Sequence, residues 1–349
     1  MIESPMQCAV NVNDTEVFSF VSASLLSHPA GRRRLIGLNR KLYDYHSSFA
    51  IEELTAEFED GDRLAMLFKN LSPEGLLPDA REMRPHFYYH PEREITVYRE
   101  ILAAAGLGTA TYYGSLVDSD RQRYWLLLER VSGEELYKIG DIEIWCSVAR
   151  WLAGMHRCLG KFANERPGKA NLTTYDAHFC NLWIERAEQF NRRGGGASAI
   201  GSSQMNWLID RCRWAVRHMG SVPPTLIHGE FYASNILVAR RHDQTRICPV
   251  DWETAAIGPP LIDLAALIAG RWTEPQKHLL AQAYFDALPP AGRSWSNIQE
   301  LTVSLRCCRL FQAIRWLGWS ADWEPPSEHR FDWLAEAMQM AQLVNVHQQ

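Results

Sequence analysis

The sequence has no window of roughly 18 uncharged apolar residues, the length that a membrane-spanning helix needs, so a transmembrane protein is not expected. Its first residues, MIESPMQCAVNVNDTEVF, have neither a basic start nor an apolar h-region, and no signal peptide is expected. Positive charge is not in excess either. The net charge of -5 argues against nucleic acid as a partner, because a phosphate backbone selects clustered Lys and Arg. The basic run Arg32-Arg33-Arg34 reads as a solvated strand edge. None of the eight cysteines (Cys8, Cys146, Cys158, Cys180, Cys212, Cys248, Cys307 and Cys308) stands in a CxxC pair, which removes the usual spacing of a zinc site. Most lie in apolar runs such as IWCSVARWL, the habit of buried free thiols in a reducing compartment. Disulfides are therefore not expected, and the expected location is the cytoplasm. No internal repeat is visible.

What is present is an ordinary globular composition, 46% hydrophobic and 22% charged, over 349 residues, which is more than one typical core. Alternating apolar residues predict strands over 33–40, 50–58, 63–69, 109–117 and 123–130. One helix is embedded among them. It opens at His90-Pro91-Glu92-Arg93-Glu94, with Pro at the first helical position, carries the stripe Ile95, Tyr98, Leu102 and Ala105, and stops at Gly106. After Gly133 the pattern becomes helical. Ile144, Val148, Leu152, Met155 and Leu159 line one amphipathic face, and Val303, Cys307, Leu310, Ile314 and Leu317 line another. RRGGGASAIGSS (192–203) reads as a loop, and Ile236–Ala239 with Ile247–Val250 as a short hairpin. A sheet-rich part followed by a helical part predicts an α+β chain of two lobes, divided as 1–131 and 132–349.

The chemistry is concentrated in LIHGEFYASNILV and CPVDWETAAIGPPLIDLA, which supply His228, Gly229, Glu230, Asn235, Asp251, Glu253, Gly258 and Asp263. A carboxylate and an amide five residues apart fit a tight loop in which Glu230 accepts a hydroxyl proton and the Asn235 amide oxygen ligates a metal. One hairpin later, Asp251 ends a strand and offers a hard, charged oxygen. Mg²⁺ suits one or two such protein oxygens, with phosphate and water completing its shell. Phosphoryl transfer needs mainly positioning and charge neutralisation, and these residues offer both.

The pair HGE-x4-N and VDWE-x4-G-x4-D-L-A resembles the signature of the aminoglycoside phosphotransferase and choline kinase-like family, a small-molecule branch of the protein-kinase fold. The resemblance runs from the hairpin near residue 50 to the helices near 340. It implies a bilobal protein-kinase-like fold, with a small antiparallel-sheet N-lobe containing one helix and a larger helical C-lobe. It also implies transfer from ATP or GTP to a small hydroxylated molecule, with Mg²⁺. Carried over residue by residue, Glu230 takes the place of the catalytic base, Asn235 and Asp251 match the metal ligands, and His228 and Asp263 match positions that hold the catalytic loop. Lys69 resembles the lysine that grips the nucleotide phosphates, and its family partner is an acid on the embedded helix. At about 100° per residue, Glu94 lies about 40° from Tyr98 on the side facing the sheet, while Glu100 points to solvent, so Glu94 is the expected partner. LLLERVSG resembles the hinge between lobes, where main-chain groups of Glu129 and Val131 would meet the nucleotide base.

Two departures from the family pattern stand out. The base is usually Asp, and Glu230 extends the carboxylate by one methylene, about 1.5 Å. The protein-kinase glycine-rich loop is absent, and YDYHSSF stands in its place, where Ser47 and Ser48 would offer donors to phosphate. The alternative to an active kinase is a nucleotide-binding pseudokinase with a regulatory or scaffold role. His156 reads as a packed structural histidine. Phe311, Trp316, Trp319, Trp323 and Trp333, with Asp322 and Glu324, give the C-terminal part its aromatic and acidic character. They leave the acceptor open among amino sugars, amino alcohols, polyols and natural products.

Overall fold

The structure is a computed structural model that describes residues 12–28, 34–43, 48–165, 171–194, 200–241, 244–270, 272–320 and 331–345. Cys8, Arg32, Arg33, Ser47, Asp322, Trp323 and Glu324, singled out above, lie outside these residues. The chain divides into two compact units. One is Met1–Glu134 with Leu237–Thr254, and the other is Glu135–Ile236 with Ala255–Gln349.

The first unit opens with helix α1 (Asp14–Ser27), whose first turn is capped by Asn13 accepting from Thr15 N at 2.8 Å. Five antiparallel strands follow: β1 (Leu35–Leu42), β2 (Ile51–Phe58), β3 (Arg63–Asn70), β4 (Tyr112–Asp118) and β5 (Arg123–Glu129). Their order in the sheet is β1-β2-β3-β5-β4. The sheet has work for both faces, and β3 shows how the alternation of its side chains divides it. Met66 and Phe68 join Val17, Val21 and Leu25 of α1, Leu54, Trp125 and Leu127 in one apolar core. Leu67 and Lys69 point the other way. That side meets helix α2 (93–105), on which Ile95, Tyr98 and Leu102 are buried. The helix begins at Arg93, two residues later than Pro91 suggests, because a turn closes first from Arg93 N to His90 O. Its middle, Val97–Leu102, widens into π-helical turns. A hairpin of Ile236–Arg241 and Gln244–Pro249 returns to this unit at Leu237, and Arg246 ties it back through Gly108 O at 2.7 Å and Thr109 O at 2.8 Å.

Helix α1 was not expected from the sequence, which pointed to a single helix in this part of the chain.

The second unit is mostly helical: α3 (Ile142–Glu165), α4 (Ala177–Arg192), α5 (Ser202–Met219), α6 (Leu261–Leu267), α7 (Glu274–Ala287), α8 (Ile298–Trp319) and α9 (Trp333–Asn345). α8 packs against α4, α5, α6 and α9 and is buried on nearly all sides, so Arg309, Gln312 and Arg315 are inside together with the apolar stripe. A small sheet crosses the unit in the order β6 (Thr173–Thr174), β8 (Ala256–Gly258), β7 (Thr225–Ile227). β8 runs parallel to β6 and antiparallel to β7. Gly258 is required there, since a Cβ would come within 2.9 Å of Ile227 and 3.0 Å of Tyr175. No disulfide joins the described cysteines. No helix of the described residues is long and apolar enough to cross a membrane.

Candidate active site

In the first unit β3 and α2 bring two opposite charges together beneath the sheet. Lys69 Nζ donates to both Glu94 carboxylate oxygens at 2.8 Å. It also donates to Asp251 Oδ1 at 2.8 Å. Lys69 is 5% exposed and Glu94 1%. Glu100 pairs instead with its neighbour Arg99 on the outer side of the helix. Burial alone would lower the Lys69 ammonium, but the Asp251 and Glu94 carboxylates outweigh it and hold the group charged, well above the usual lysine range. Burial pushes the Glu94 carboxyl up to about 7, with Lys69 opposing the rise and Asp251 adding to it. Glu94 is the more deeply buried of the two carboxylates, and it is the one that resists ionisation.

Asp251 follows the closing hairpin with φ at +65°, a left-handed conformation that a non-glycine residue adopts at a cost and that turns its carboxylate toward Lys69. Two residues on, Glu253 is gripped twice. Arg84 forms a short ion pair with its carboxylate, and Arg93 donates to its main-chain oxygen at 3.0 Å. Ser48 sits inside this pair, accepting from Arg84 and donating to Glu253 Oε1 at 3.2 Å. Its hydroxyl is thus occupied by the Arg84–Glu253 pair. Glu129, at the end of β5, directs its main-chain N–H to Thr111 O at 2.8 Å and its carboxylate to Arg246 at 2.6 and 2.9 Å. Partial burial would raise this carboxyl, yet hydrogen bonds from Arg246 and Thr111 hold it down at about 2. Val131, two residues further along, is buried.

The second unit carries the His228–Gly229–Glu230 turn at the end of β7. Gly229 has φ +85°, which a side chain would resist, so the turn depends on glycine. Asp263, fully buried at the start of α6, accepts from His228 N at 2.7 Å and Gly229 N at 2.9 Å. His156 stands behind it, 3.1 Å from Asp263 and 2.9 Å from the Tyr284 hydroxyl, as a packed histidine inside the helical core. The loop then closes on itself: Tyr232 N and the Asn235 side-chain amide both donate to Glu230 O, at 2.8 and 3.0 Å. The NH₂ of Asn235 is thus used within the loop.

Glu230 itself is held by a residue that sequence reasoning missed. Arg315 of α8 donates to Glu230 Oε1 at 2.6 Å and to Gly229 O at 3.0 Å. Tyr232 is anchored to the same helix, its hydroxyl accepting from Gln312 at 2.8 Å and Trp316 at 2.7 Å. Arg84 and Arg246 were missed too. All three arginines lie where a charged residue reads as solvent-facing, and no spacing rule distinguishes them.

In the first unit Asp251 offers a charged carboxylate on a constrained backbone, and in the second Asn235 offers a neutral amide oxygen on its closed loop; each by itself is a donor of the kind that a hard cation takes.

Residues 77–301 match the family described as phosphotransferase enzyme family. No curated protein matches the chain. Among solved structures, the microcompartment-associated aminopropanol kinase superposes with a TM-score of 0.58 at 15% identity, covering 93% of this chain and 94% of that one. An ethanolamine kinase of Plasmodium vivax gives 0.56 at 12% identity, over 96% and 91% of the two chains. The GDP complex of the wild-type aminoglycoside 2'-phosphotransferase-IIIa gives 0.53 at 13% identity, over 96% and 99%. At these identities the likeness shows the protein-kinase-like fold.

Proposed function

This chain belongs to the phosphotransferase enzyme family, and we propose that it transfers the terminal phosphoryl group of ATP or GTP to a hydroxyl of a small molecule. The observation that carries the reading is Lys69, buried between Glu94 and Asp251. A buried lysine facing two acids is a poor stabilising device, because desolvation offsets most of the attraction. It is a good phosphate grip, since an excess of carboxylate keeps the ammonium charged and lets it exchange one partner for an anionic ligand. In this reading Glu94 orients Lys69 toward the α- and β-phosphates. Main-chain groups of Glu129 and Val131 meet the base, and Ser47 with the main-chain N–H of Ser48 offers donors to the phosphates.

Asn235 and Asp251 would hold Mg²⁺, which when bound neutralises charge on the transferring phosphate. Glu230 accepts the acceptor's hydroxyl proton as the oxygen bonds to the γ-phosphorus, the bond to the β-phosphate oxygen breaks, and the nucleoside diphosphate leaves. Asp263 keeps the loop in shape through the amides of His228 and Gly229. The acceptor class is an amino sugar, amino alcohol, polyol or natural product. The similar structures named as aminopropanol, ethanolamine and aminoglycoside kinases favour an amine-bearing alcohol. The described cysteines, mostly buried and not in disulfides, favour a reducing, cytoplasmic setting.

The test measures nucleotide consumption, with ATP and GTP in turn, against ethanolamine, choline, 1-amino-2-propanol, kanamycin and simple polyols. Mg²⁺-dependent, acceptor-dependent consumption with a phosphorylated product is the expected outcome. Nucleotide binding with no transfer to any acceptor would favour the pseudokinase instead.

A further inference from the structure

We propose that Arg315 is a positioning residue for Glu230, and that this buried arginine makes a glutamate workable where the family pattern has an aspartate. The inference rests on the reading of Glu230 as the proton acceptor. Arg315 projects from the middle of α8 and is 2% exposed. Its guanidinium is fixed on several sides. NH1 donates to the Tyr175 hydroxyl at 2.8 Å and to Gly229 O at 3.0 Å, NH2 donates to Glu230 Oε1 at 2.6 Å, and the ring of Trp183 lies 5.9 Å from Cζ.

The pattern of contacts is what gives it a role. A guanidinium is planar, always charged, and presents its donors in a rigid fork. Here one nitrogen holds the main chain of the Gly229–Glu230 turn and the other holds the Glu230 side chain, so the carboxylate is fixed relative to its own backbone. Glutamate has one more rotatable bond than aspartate and reaches about 1.5 Å further. Left alone, that bond would spread the carboxylate over several rotamers. Arg315 selects one of them. Arginine does not titrate, so the fork keeps its charge and its donors throughout turnover.

A purely structural role, bracing the turn through Gly229 O and Tyr175, is the competing account. The two differ in what happens once the Glu230 charge is gone. The experiment is a kinetic cycle on the full chain with Glu230→Gln, Arg315→Met and the double variant. It uses the acceptor from the panel above that turns over, or Mg-ATP hydrolysis by water if none does. Arg315→Met is expected to lower kcat by about 10-fold or more, the scale of a misplaced reacting group, with the KM for nucleotide nearly unchanged. In the Glu230→Gln background the same change is expected to cost less than about twofold further, since the two residues act as one unit. Arg315→Lys, which keeps the charge but loses the fork, is expected to recover part of the rate.

An equal loss from Arg315→Met in both backgrounds would overturn the proposal and leave Arg315 as a brace. Should Arg315→Met fail to fold, the cycle is run with Arg315→Lys and read in the same way. If Glu230→Gln alone runs at the wild-type rate, the base assignment itself fails. That result is distinct from an inactive Glu230→Gln with an additive cycle, which sinks only the role of Arg315.

Discussion

In the first unit one ammonium, Lys69, faces two carboxylates, whereas in the second one carboxylate, Glu230, faces a guanidinium that also holds the loop beneath it. The first cluster carries surplus negative charge, and its lysine can trade a partner. That suits a place where an anionic ligand and its cation arrive and leave. The second is balanced and tied to main chain, which suits a group that must stay in place while a proton moves. If the comparison is right, changes in the Lys69 cluster should act on nucleotide and metal binding, and changes in the Glu230–Arg315 cluster on the rate of transfer.

The largest effect is expected at Asp251. Asp251→Asn should abolish turnover and weaken the thermal stabilisation given by Mg-nucleotide, while the ligand-free melt changes little because Lys69 keeps Glu94. Equal Mg-nucleotide shifts in mutant and wild type would remove Asp251 from the metal site and blur the contrast between the units. Next comes the Lys69–Glu94 pair. Lys69→Met and Glu94→Gln should each lower kcat/KM by on the order of 10²-fold, and the double variant by much less than the product, because each change disables the same grip. Fully additive losses would mean that the two side chains act separately.

The smallest effect concerns stability at Glu129. Its carboxyl is held at about 2, below the ordinary 4.5, by Arg246 and Thr111, so the contribution is fully present above about pH 4.5 and is lost as pH falls toward 2. The group is partly exposed, so solvent screening keeps the contribution within about 1 kcal/mol. Glu129→Gln should lower the Tm by about 1–2 °C at pH 7, and the gap should narrow in acid. A gap that stayed constant down to pH 3 would mean that the carboxylate charge contributes nothing.

The two clusters also differ in how far the sequence revealed them. In the first, Lys69 is reached by its resemblance to the family lysine, and helical geometry puts Glu94 rather than Glu100 beneath it. The same reasoning passed over α1. Val17, Val21 and Leu25 recur every fourth residue behind an Asn13 cap, and the unbroken apolar run Tyr124–Leu128 of β5 signals a sheet covered on both faces. In the second unit the motif gave the loop, but Arg315 could not be seen. A stripe analysis of α8 assigns charged residues to solvent, and this helix is buried nearly all round. Polar groups that brace a loop from a distant helix obey hydrogen-bond geometry, which has no period along the chain.

The most direct measurement of the account is the rate of phosphoryl transfer by Glu230→Gln with a confirmed acceptor, taken together with its nucleotide affinity. Removing the carboxylate charge while keeping its shape is expected to cut kcat by roughly 10² or more and to leave nucleotide binding nearly constant. Turnover at the wild-type rate would contradict it, leaving a kinase in which this carboxylate takes no proton.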